Sequence, residues 1–321
     1  MNYIFLYPGQ GAQFQGMIKD VCDQSSEARE VLEKAEAITG EKISDWLWNI
    51  DATELARSDR SQLAITVASL ALTAALKAKG IEADAFAGFS LGEFSALCSS
   101  GVLSFEDTIT LVYQRGKIMQ KACEAIANSS GGNPPGMAAV LGLPPETVID
   151  TLKPLTEKGI AFAANMNSPK QTVVSATAEG LASTEELCKT AGARRVVRLK
   201  VAGPFHSPLM MDGAKEFEKV LQSVTFNNPQ KTLFSNVTGK IVTTGEEAKK
   251  NAVLHFTHPV LWTTEEKEMS EMIQAKNTEY SLIEVGPGTV LTGLWRDSGY
   301  ADSATCVSCN TVEHIQEITN K

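Results

Sequence analysis

One serine stands between two glycines in the stretch Gly88-Phe89-Ser90-Leu91-Gly92, after a short apolar run and before a helical pattern. This G-x-S-x-G spacing is typical of a nucleophile elbow, a sharp strand-to-helix turn that exposes the serine hydroxyl. The glycines are expected because a side chain at either position would meet the neighbouring strand or helix. The helix start adds unpaired N–H groups beneath a reacting oxygen. The stretch predicts either a nucleophilic Ser90 or a glycine-rich turn in which Ser90 only caps the helix.

Two further polar side chains stand where chemistry is favoured. His206 lies between Pro204 and Pro208, which restrict the backbone around it. Arg115 lies in the apolar stripe of a predicted helix, four residues after a leucine and three before an isoleucine. A cation on an apolar face needs an anion, because an unpaired buried charge is costly. The pattern leaves two partners open: a carboxylate of this chain, or a substrate carboxylate that the guanidinium would bind through two hydrogen bonds.

Three weaker signals argue for no cofactor or metal. The glycine-rich loop at 8–13 could bring backbone N–H groups close to a ligand, but it lacks the spacing of the nucleotide-binding loops. The H-x-x-H at 255–258 has no accompanying third ligand for a metal. The C-x-x-C at 306–309 has no second ligand pair, so we interpret it as two incidental thiols.

The composition is that of an ordinary globular protein. The chain has 321 residues, of which 43% are hydrophobic and 21% charged, a length that favours one large domain with a smaller one inserted or appended. The net charge of −9 argues against nucleic-acid binding. Six scattered cysteines fit free thiols in the cytoplasm. The apolar run at 3–7 is too short for a signal peptide, and we expect no run of membrane-spanning length.

The predicted elements that must position these residues form two groups. Strands at 3–7, 233–237 and 280–285, together with a strand and elbow at 85–92, are separated by helices and indicate an α/β domain. The tract at 128–136, rich in Gly, Pro, Ser and Asn, is the clearest linker. The pattern after it predicts the β-α-β-β-α-β order of a ferredoxin-like unit, with elements at 137–143, 145–157, 160–166, 171–176, 181–191 and 195–201. The predicted division is a catalytic domain of residues 1–130 and 202–321 and an inserted subdomain of residues 137–201.

Six motifs occur in one order along the chain. They are Tyr-Pro-Gly-Gln-Gly-Ala-Gln at 7–13, Gly-Phe-Ser-Leu-Gly-Glu at 88–93, Arg-Gly-Lys-Ile-Met-Gln at 115–120, Asn-Met-Asn-Ser-Pro-Lys-Gln at 165–171, Phe-His-Ser-Pro-Leu-Met at 205–210 and Glu-Val-Gly-Pro-Gly at 284–288. Together they resemble the malonyl-CoA:acyl-carrier-protein transacylases, and the resemblance runs from the first strand to about residue 295. Six collinear motifs are far more specific than any one of them.

The resemblance implies an α/β-hydrolase-like large domain that carries the ferredoxin-like insertion. It also implies a two-step exchange in which Ser90 takes the malonyl group from malonyl-CoA, with His206 as general base. The malonyl group then passes to the phosphopantetheine thiol of acyl carrier protein. We also expect a cytoplasmic monomer that binds no cofactor, no nucleic acid and no membrane.

The same resemblance assigns roles to further residues. The backbone N–H groups of Gln10 and Leu91 would hold the oxyanion, and Arg115 would pair with the free malonyl carboxylate. The backbone carbonyl of Leu261 would orient His206. Three residues match cleft positions of the family: Asn165, Asn167 and Phe205. Phe205 also resembles the residue found in the malonyl-selective subset of related polyketide acyltransferases.

Two positions depart from many relatives, which have His in place of Phe89 and Gln in place of Leu261. Any positioning role of that histidine is in doubt here, whereas a main-chain role at Leu261 need not depend on the side chain. An acidic carrier protein would also need a local basic patch, or else the same cations form only a solvated face. The candidate basic residues are Arg194, Arg195, Arg198, Lys200, Lys117 and Lys121.

Three other functions remain open from the sequence. A stand-alone acyltransferase of a polyketide pathway would carry the same motifs. A serine esterase or thioesterase would follow the chain order Ser…Asp…His, for which only His314 stands late enough. A non-catalytic module that binds carrier protein would not need Ser90, His206 and Arg115 together.

Overall fold

The computed structural model describes residues 1–276 and 278–320. Within these residues the strands span Asn2–Tyr7 (β1), Ala85–Gly88 (β2), Gly136–Leu141 (β3), Ala161–Ser168 (β4), Gln171–Ala176 (β5), Arg195–Arg198 (β6), Thr232–Ser235 (β7), Lys240–Val242 (β8), Tyr280–Val285 (β9) and Thr305–Cys309 (β10). The helices span Lys19–Gln24 (α1), Ser26–Thr39 (α2), Ile43–Trp48 (α3), Ala52–Leu55 (α4), Ser58–Ala78 (α5), Gly92–Ser99 (α6), Phe105–Ser129 (α7), Pro145–Glu157 (α8), Ala178–Thr190 (α9), Met211–Leu221 (α10), Gly245–Leu254 (α11), Trp262–Lys276 (α12), Val290–Asp297 (α13) and Val312–Thr319 (α14). The protein therefore has the mixed α/β composition that the sequence predicts.

The larger sheet has the strand order β10-β9-β1-β2-β7-β8. Its first five strands run parallel, and β8 returns antiparallel to β7. Strand β2 lies in the middle, with Gly88 opposite Tyr7 of β1. The turn after β2 therefore emerges at the carboxyl edge of the sheet, where ligand sites of open α/β sheets lie.

Alternate residues of the central strands build a core on each face of this sheet. Phe5 and Tyr7 of β1 belong to the cluster formed with α5 and α7. Ile4 and Leu6 face the other side and pack in a cluster with Trp262. Because both faces are covered, the strands are apolar throughout, as is typical of parallel sheets.

Helix α5 is long and apolar enough to cross a membrane, so the prediction that no run reaches that length was wrong. Within the apolar 18-residue stretch of α5 that reaches this length, 78% of the residues are buried inside the protein. The helix packs against α2 and α7. Its apolar surface is therefore explained by burial on almost every side within the core.

The smaller sheet has the order β4-β5-β3-β6, and every pair in it is antiparallel. Helices α8 and α9 complete a separate core with residues such as Val140, Leu152 and Val174. Strand β6 ends at Arg198, three residues before the predicted end, because residues 199–201 turn to line a cavity. Two backbone bonds tie β4 to the chain before α12, Met166 N–H to Val260 O at 2.9 Å and Val260 N–H to Ala164 O at 2.8 Å.

The C-terminal part holds a strand that the sequence analysis missed. Strand β10 carries Cys306 and Cys309, and α14 follows it, whereas the last predicted strand is the one at 280–285. Residues three apart on a strand face opposite sides, and the two cysteines pack in different core clusters. Burial raises the pKa of each thiol to about 12, so both stay protonated. The C-x-x-C is thus part of an edge strand with two separate thiols.

Candidate active site

The turn after β2 holds Ser90 in the left-handed region, with φ of 52°. A non-glycine residue there is strained by about 1–3 kcal/mol and is often functional. A Cβ on Gly88 would lie 2.1 Å from the carbonyl carbon of Gly92, and one on Gly92 would lie 2.0 Å from Tyr7 O. Both glycines are therefore required by close backbone approach, which confirms the reason that the sequence predicts for them.

Ser90 and His206 are brought together from sites 116 residues apart, with Ser90 Oγ 2.7 Å from His206 Nε2. His206 also has a positive φ, 56°, and only 5% of it is exposed. Burial, with smaller contributions from His255 and Arg115, lowers the pKa of the imidazole from 6.5 to about 3. A neutral ring with a free lone pair can accept the Ser90 proton.

The backbone of His255 and His258 opposes this lowering of the His206 pKa, but its effect is smaller than that of burial. Leu261 lies elsewhere in the described structure: its N–H donates to Asn236 O at 2.9 Å, and it does not line the cavity. The Leu261 carbonyl, the group expected to orient the base, accepts from the N–H groups of Thr264 and Glu265 at the start of α12, and His206 Nδ1 is buried without a hydrogen-bond partner among the described residues.

The side chain of His255 belongs to a buried polar network behind the Ser90–His206 pair. Its Nε2 lies 2.8 Å from Glu93 Oε2, and both side chains are almost fully buried. The same carboxylate oxygen accepts the N–H of Asn236 at 2.7 Å. His258 instead faces the hydroxyl of Thr257 at 3.1 Å, so the two histidines of the H-x-x-H do not converge.

Arg115 on α7 is 1% exposed, and its guanidinium has one hydrogen-bond partner in the part of the chain that the structure describes. Nη1 donates to Gln62 Oε1 at 2.6 Å, whereas Nε and Nη2 have no acceptor. The rings of Phe94 and Phe256 each lie 5.3 Å from the guanidinium carbon. Burial lowers the pKa of Arg115 to about 9, which leaves it charged at neutral pH.

No carboxylate of the described residues lies within 4.0 Å of Arg115, and the nearby Glu93 acts on it only through space. Of the two partners that the sequence left open, the structure therefore favours an external carboxylate. Gln62 was missed by the sequence analysis. Its signal was present, since it is a buried glutamine at the start of the mostly apolar stretch of α5.

A cavity of about 200 Å³ joins these groups between the two sheets. Ser90, His206 and Arg115 line it together. The predicted oxyanion residue Gln10 also lines the cavity, as does Phe89, where many relatives have His. The three predicted cleft residues line it as well: Asn165, Asn167 and Phe205. Asn167 Oδ1 is buried without a hydrogen-bond partner among the described residues, so it can accept a bond from a ligand.

The two predicted oxyanion donors come from different segments: Leu91 follows Ser90 in the chain, and Gln10 lies in the glycine-rich loop that lines the same cavity. In the described chain, the N–H groups of Gln10 and Leu91 donate to no protein acceptor. The Gln10 side chain is held by Ser58 Oγ at 3.2 Å and by Gln62 Nε2 at 3.3 Å. Gln62 therefore contacts both the glycine-rich loop and Arg115, and links the two ends of the cavity.

Two buried carboxyl groups of α12 lie below the elbow. Glu265 Oε1 accepts from Asn236 Nδ2 at 2.7 Å, and Glu266 Oε1 accepts from Trp262 Nε1 at 3.0 Å. Burial raises the pKa of both, that of Glu266 to about 8. Glu266 is therefore mostly protonated at neutral pH, because burial without a cationic partner disfavours the carboxylate.

Glu266 makes the stability depend on pH in a defined direction. Its folded pKa is above the unfolded value of 4.5, so its contribution is present below pH 4.5 and is lost as pH rises toward 8. Glutamine keeps the acceptor for Trp262 but cannot lose a proton. We expect Glu266→Gln to match the wild type in urea unfolding near pH 5 and to be roughly 3 kcal/mol more stable near pH 8.

The matched control for this prediction is Glu271→Gln, an exposed position on the same helix. It should leave the difference between the two pH values unchanged. Parallel unfolding profiles for wild type and Glu266→Gln would show that Glu266 is ionised in the folded protein.

The comparisons with known proteins agree with this geometry. The family model described as an acyl transferase domain matches residues 4–314. The chain is 36% identical over 291 residues to the malonyl CoA-acyl carrier protein transacylase of Bacillus subtilis, covering 90% of this chain and 88% of that protein.

Solved structures give the same result. The acyl carrier protein S-malonyltransferase of Vibrio cholerae superposes with a TM-score of 0.87 at 31% identity, covering 99% of this chain and all of that one. A malonyl-transacylase solved in complex with the acyl-carrier protein of a type II polyketide synthase gives 0.88 at 30% identity, covering 100% of this chain and 99% of that one.

Proposed function

The chain belongs to the acyl transferase domain family, and we propose that it transfers a malonyl group from malonyl-CoA to the phosphopantetheine thiol of an acyl carrier protein. One observation carries the proposal. The unpaired guanidinium of Arg115 lines the same small cavity as the Ser90–His206 pair. A malonyl thioester offers a carbonyl to Ser90 and a free carboxylate to Arg115, so it satisfies both ends of the site.

In the first half-reaction, Ser90 Oγ attacks the thioester carbonyl carbon while His206 Nε2 takes the hydroxyl proton. The oxyanion of the tetrahedral intermediate receives hydrogen bonds from the N–H groups of Gln10 and Leu91. The carbon–sulfur bond then breaks, and the CoA thiolate takes the proton from His206. The product is a malonyl ester of Ser90 with free CoA.

The second half-reaction runs the same steps in reverse with a different thiol. The carrier thiol gives its proton to His206, and its sulfur attacks the malonyl ester. The bond to Ser90 Oγ breaks, and Ser90 regains the proton from His206. One site therefore serves donor and acceptor, as a ping-pong exchange requires.

The remaining cavity residues shape the malonyl site. Asn165 and Asn167 offer amide groups from β4, and Phe205 closes the wall next to the base. We assign the orientation of His206 to the backbone of His255 and His258 instead of Leu261, because the Leu261 carbonyl already accepts from Thr264 and Glu265 and the backbone of the two histidines favours the protonated ring.

We further propose that the large domain, residues 1–130 and 202–321, is α/β-hydrolase-like and that residues 137–201 form a ferredoxin-like insertion. The parallel sheet with its elbow after β2 supports the first part. The order β3-α8-β4-β5-α9-β6 in an antiparallel sheet supports the second. The cavity between the two sheets then gives the insertion a role in closing the site.

The acidic carrier protein is proposed to approach over β6 and the segment after it. Lys200 lines the cavity mouth, and Arg195 and Arg198 are exposed on the adjoining edge strand. Lys121 is already paired with Glu216 at 3.2 Å, which weakens its candidacy. We propose that the protein works in the cytoplasm as a monomer and needs no bound cofactor.

A polyketide pathway remains the second candidate, because one structural relative was solved with the carrier protein of such a pathway. The esterase alternative has less support. It needs His314 as base, whereas His206 is the imidazole that contacts Ser90, and His314 lies on the C-terminal helix α14.

Intact-mass spectrometry of the protein incubated with malonyl-CoA, acetyl-CoA or methylmalonyl-CoA tests the proposal. We expect a malonyl adduct that maps to Ser90 and is discharged when a carrier protein bearing phosphopantetheine is added. The same carrier protein without its phosphopantetheine arm is the control and should leave the adduct in place. Carrier proteins from fatty-acid and polyketide systems, compared side by side, separate the two pathways. An adduct that disappears in buffer alone would indicate a thioesterase.

A further inference from the structure

The backbone of the elbow is held from one side by a side chain that the proposed mechanism does not use. Asn236 follows β7 directly, and 1% of it is exposed. Its Oδ1 accepts the N–H of Ser90 at 2.5 Å, and its Nδ2 donates to Gly88 O at 2.7 Å. One amide group therefore bonds the two residues on either side of Phe89.

These two bonds have the pattern of a parallel β-ladder, in which a residue bonds the carbonyl before its opposite and the N–H after it. Strands β2 and β7 pair with Ala85 opposite Thr232, so continuing that register by four residues places Phe89 opposite position 236. The ladder thus continues one step beyond the end of β7. The side-chain amide makes the bonds that a backbone peptide would make in a longer strand.

The backbone of Asn236 is used elsewhere. Its N–H donates to Glu93 Oε2 at 2.7 Å, and its carbonyl accepts from Leu261 N–H at 2.9 Å. Glu93 Oε2 also binds the ring of His255, whose backbone acts on His206. Asn236 therefore joins the turn that carries the nucleophile to the segment that supports the base.

We propose that Asn236 is a positioning residue, whose side-chain amide replaces a strand peptide and holds Ser90 in its left-handed conformation against His206. This inference rests on the proposed function for its assay, but the geometry concerns any reaction of Ser90. Without the amide, the buried N–H of Ser90 and carbonyl of Gly88 both lose a partner, and the strained turn can relax. A shift of about 1 Å at a nucleophile costs on the order of 10²-fold in rate.

The test measures single-turnover acylation of Ser90 by malonyl-CoA in Asn236→Ala and Asn236→Leu. We expect the acylation rate constant to fall about 100-fold while the malonyl-CoA concentration at half-maximal rate changes less than about threefold. The matched control is Asn251→Ala, which removes another buried asparagine that bonds Ser235 Oγ at 3.1 Å and does not contact the elbow. The control should lose thermal stability and keep the wild-type rate constant.

Asn236→Asp adds a readout that a purely structural role would not give. One carboxyl oxygen can still accept from Ser90, but the other donates to Gly88 O only when it is protonated. We expect the rate of this variant relative to wild type to rise about tenfold as pH falls from about 8 to about 6, because burial beside Glu265 and Glu93 favours the protonated acid. The Leu variant should show the same deficit at both pH values. The Asp variant also carries the test if the Ala and Leu variants do not fold.

Labelling by phenylmethylsulfonyl fluoride separates this inference from the proposed function. Ser90 Oγ attacks the sulfur, fluoride leaves, and His206 takes the proton, so the reagent reports on the elbow without a malonyl group. Slower labelling of the Asn236 variants than of wild type and Asn251→Ala supports the inference even if malonyl-CoA does not react. Wild-type labelling and acylation rates in the folded Asn236 variants would overturn it.

Discussion

Replacing His206 with alanine is expected to lower kcat/KM for malonyl transfer by about 10⁴-fold or more, and replacing Ser90 with alanine should remove the acyl-enzyme altogether. The reason is geometric: Ser90 Oγ and His206 Nε2 lie 2.7 Å apart. The low pKa of His206 also keeps the ring neutral at neutral pH, so the lone pair of the unprotonated nitrogen is free to accept the Ser90 proton. Steady-state assays with malonyl-CoA and carrier protein bearing a free phosphopantetheine thiol measure the first loss. Intact mass measures the second.

The double variant gives the sharper result. Because the two residues act as one unit, Ser90→Ala with His206→Ala should be no slower than the worse single variant. His314→Ala is the control and should keep wild-type activity, since His314 lies on α14 and is not among the described residues that line the cavity. A loss with His314→Ala, together with retained activity in His206→Ala, would restore the esterase interpretation.

The parts of the site that the sequence predicts are those fixed by local backbone geometry. The elbow could be predicted because Gly88 and Gly92 stand at the spacing that close approach to a strand and a helix requires. The β-α-β-β-α-β order of residues 136–198 could be predicted because apolar periodicity and turn residues mark each element. Boundaries such as the early end of β6 depend on the cavity wall and were missed.

The polar network behind the site could not be predicted, because its partners are far apart in the chain. Glu93 meets His255 across 162 positions, and Asn236 meets Ser90 across 146. A single sequence contains no pattern that indicates either of these long-range contacts. The Leu261 carbonyl shows the same limit, since the resemblance indicated it for orienting His206 while the structure places it in hydrogen bonds with Thr264 and Glu265. Edge strand β10 was missed because its mixed residues carry a weak alternation.

The partner of Arg115 was open in the sequence, and it leads to the second large effect. Arg115→Ala is expected to lower kcat/KM for malonyl-CoA by about 10³-fold, or roughly 4 kcal/mol, because two charge-assisted bonds to a buried carboxylate are lost. Acetyl-CoA has no carboxylate and leaves the wild-type guanidinium unpaired, so its rate in the variant should stay equal or rise. The malonyl-to-acetyl ratio, measured by competition and intact mass, should therefore fall toward one.

Arg115→Lys distinguishes a clamp from a simple charge. Lysine keeps the positive charge but not the planar fork, so it should fall between wild type and Arg115→Ala for malonyl-CoA. Arg60→Ala, which removes an arginine paired with Glu54 at the surface, is the control for loss of cationic charge and should not change the ratio. If wild type loads acetyl as readily as malonyl, the unpaired Nε and Nη2 do not select the acyl group. Arg115 would then act only through its contacts with Gln62, Phe94 and Phe256, and the preference for malonyl would have to come from elsewhere in the cavity.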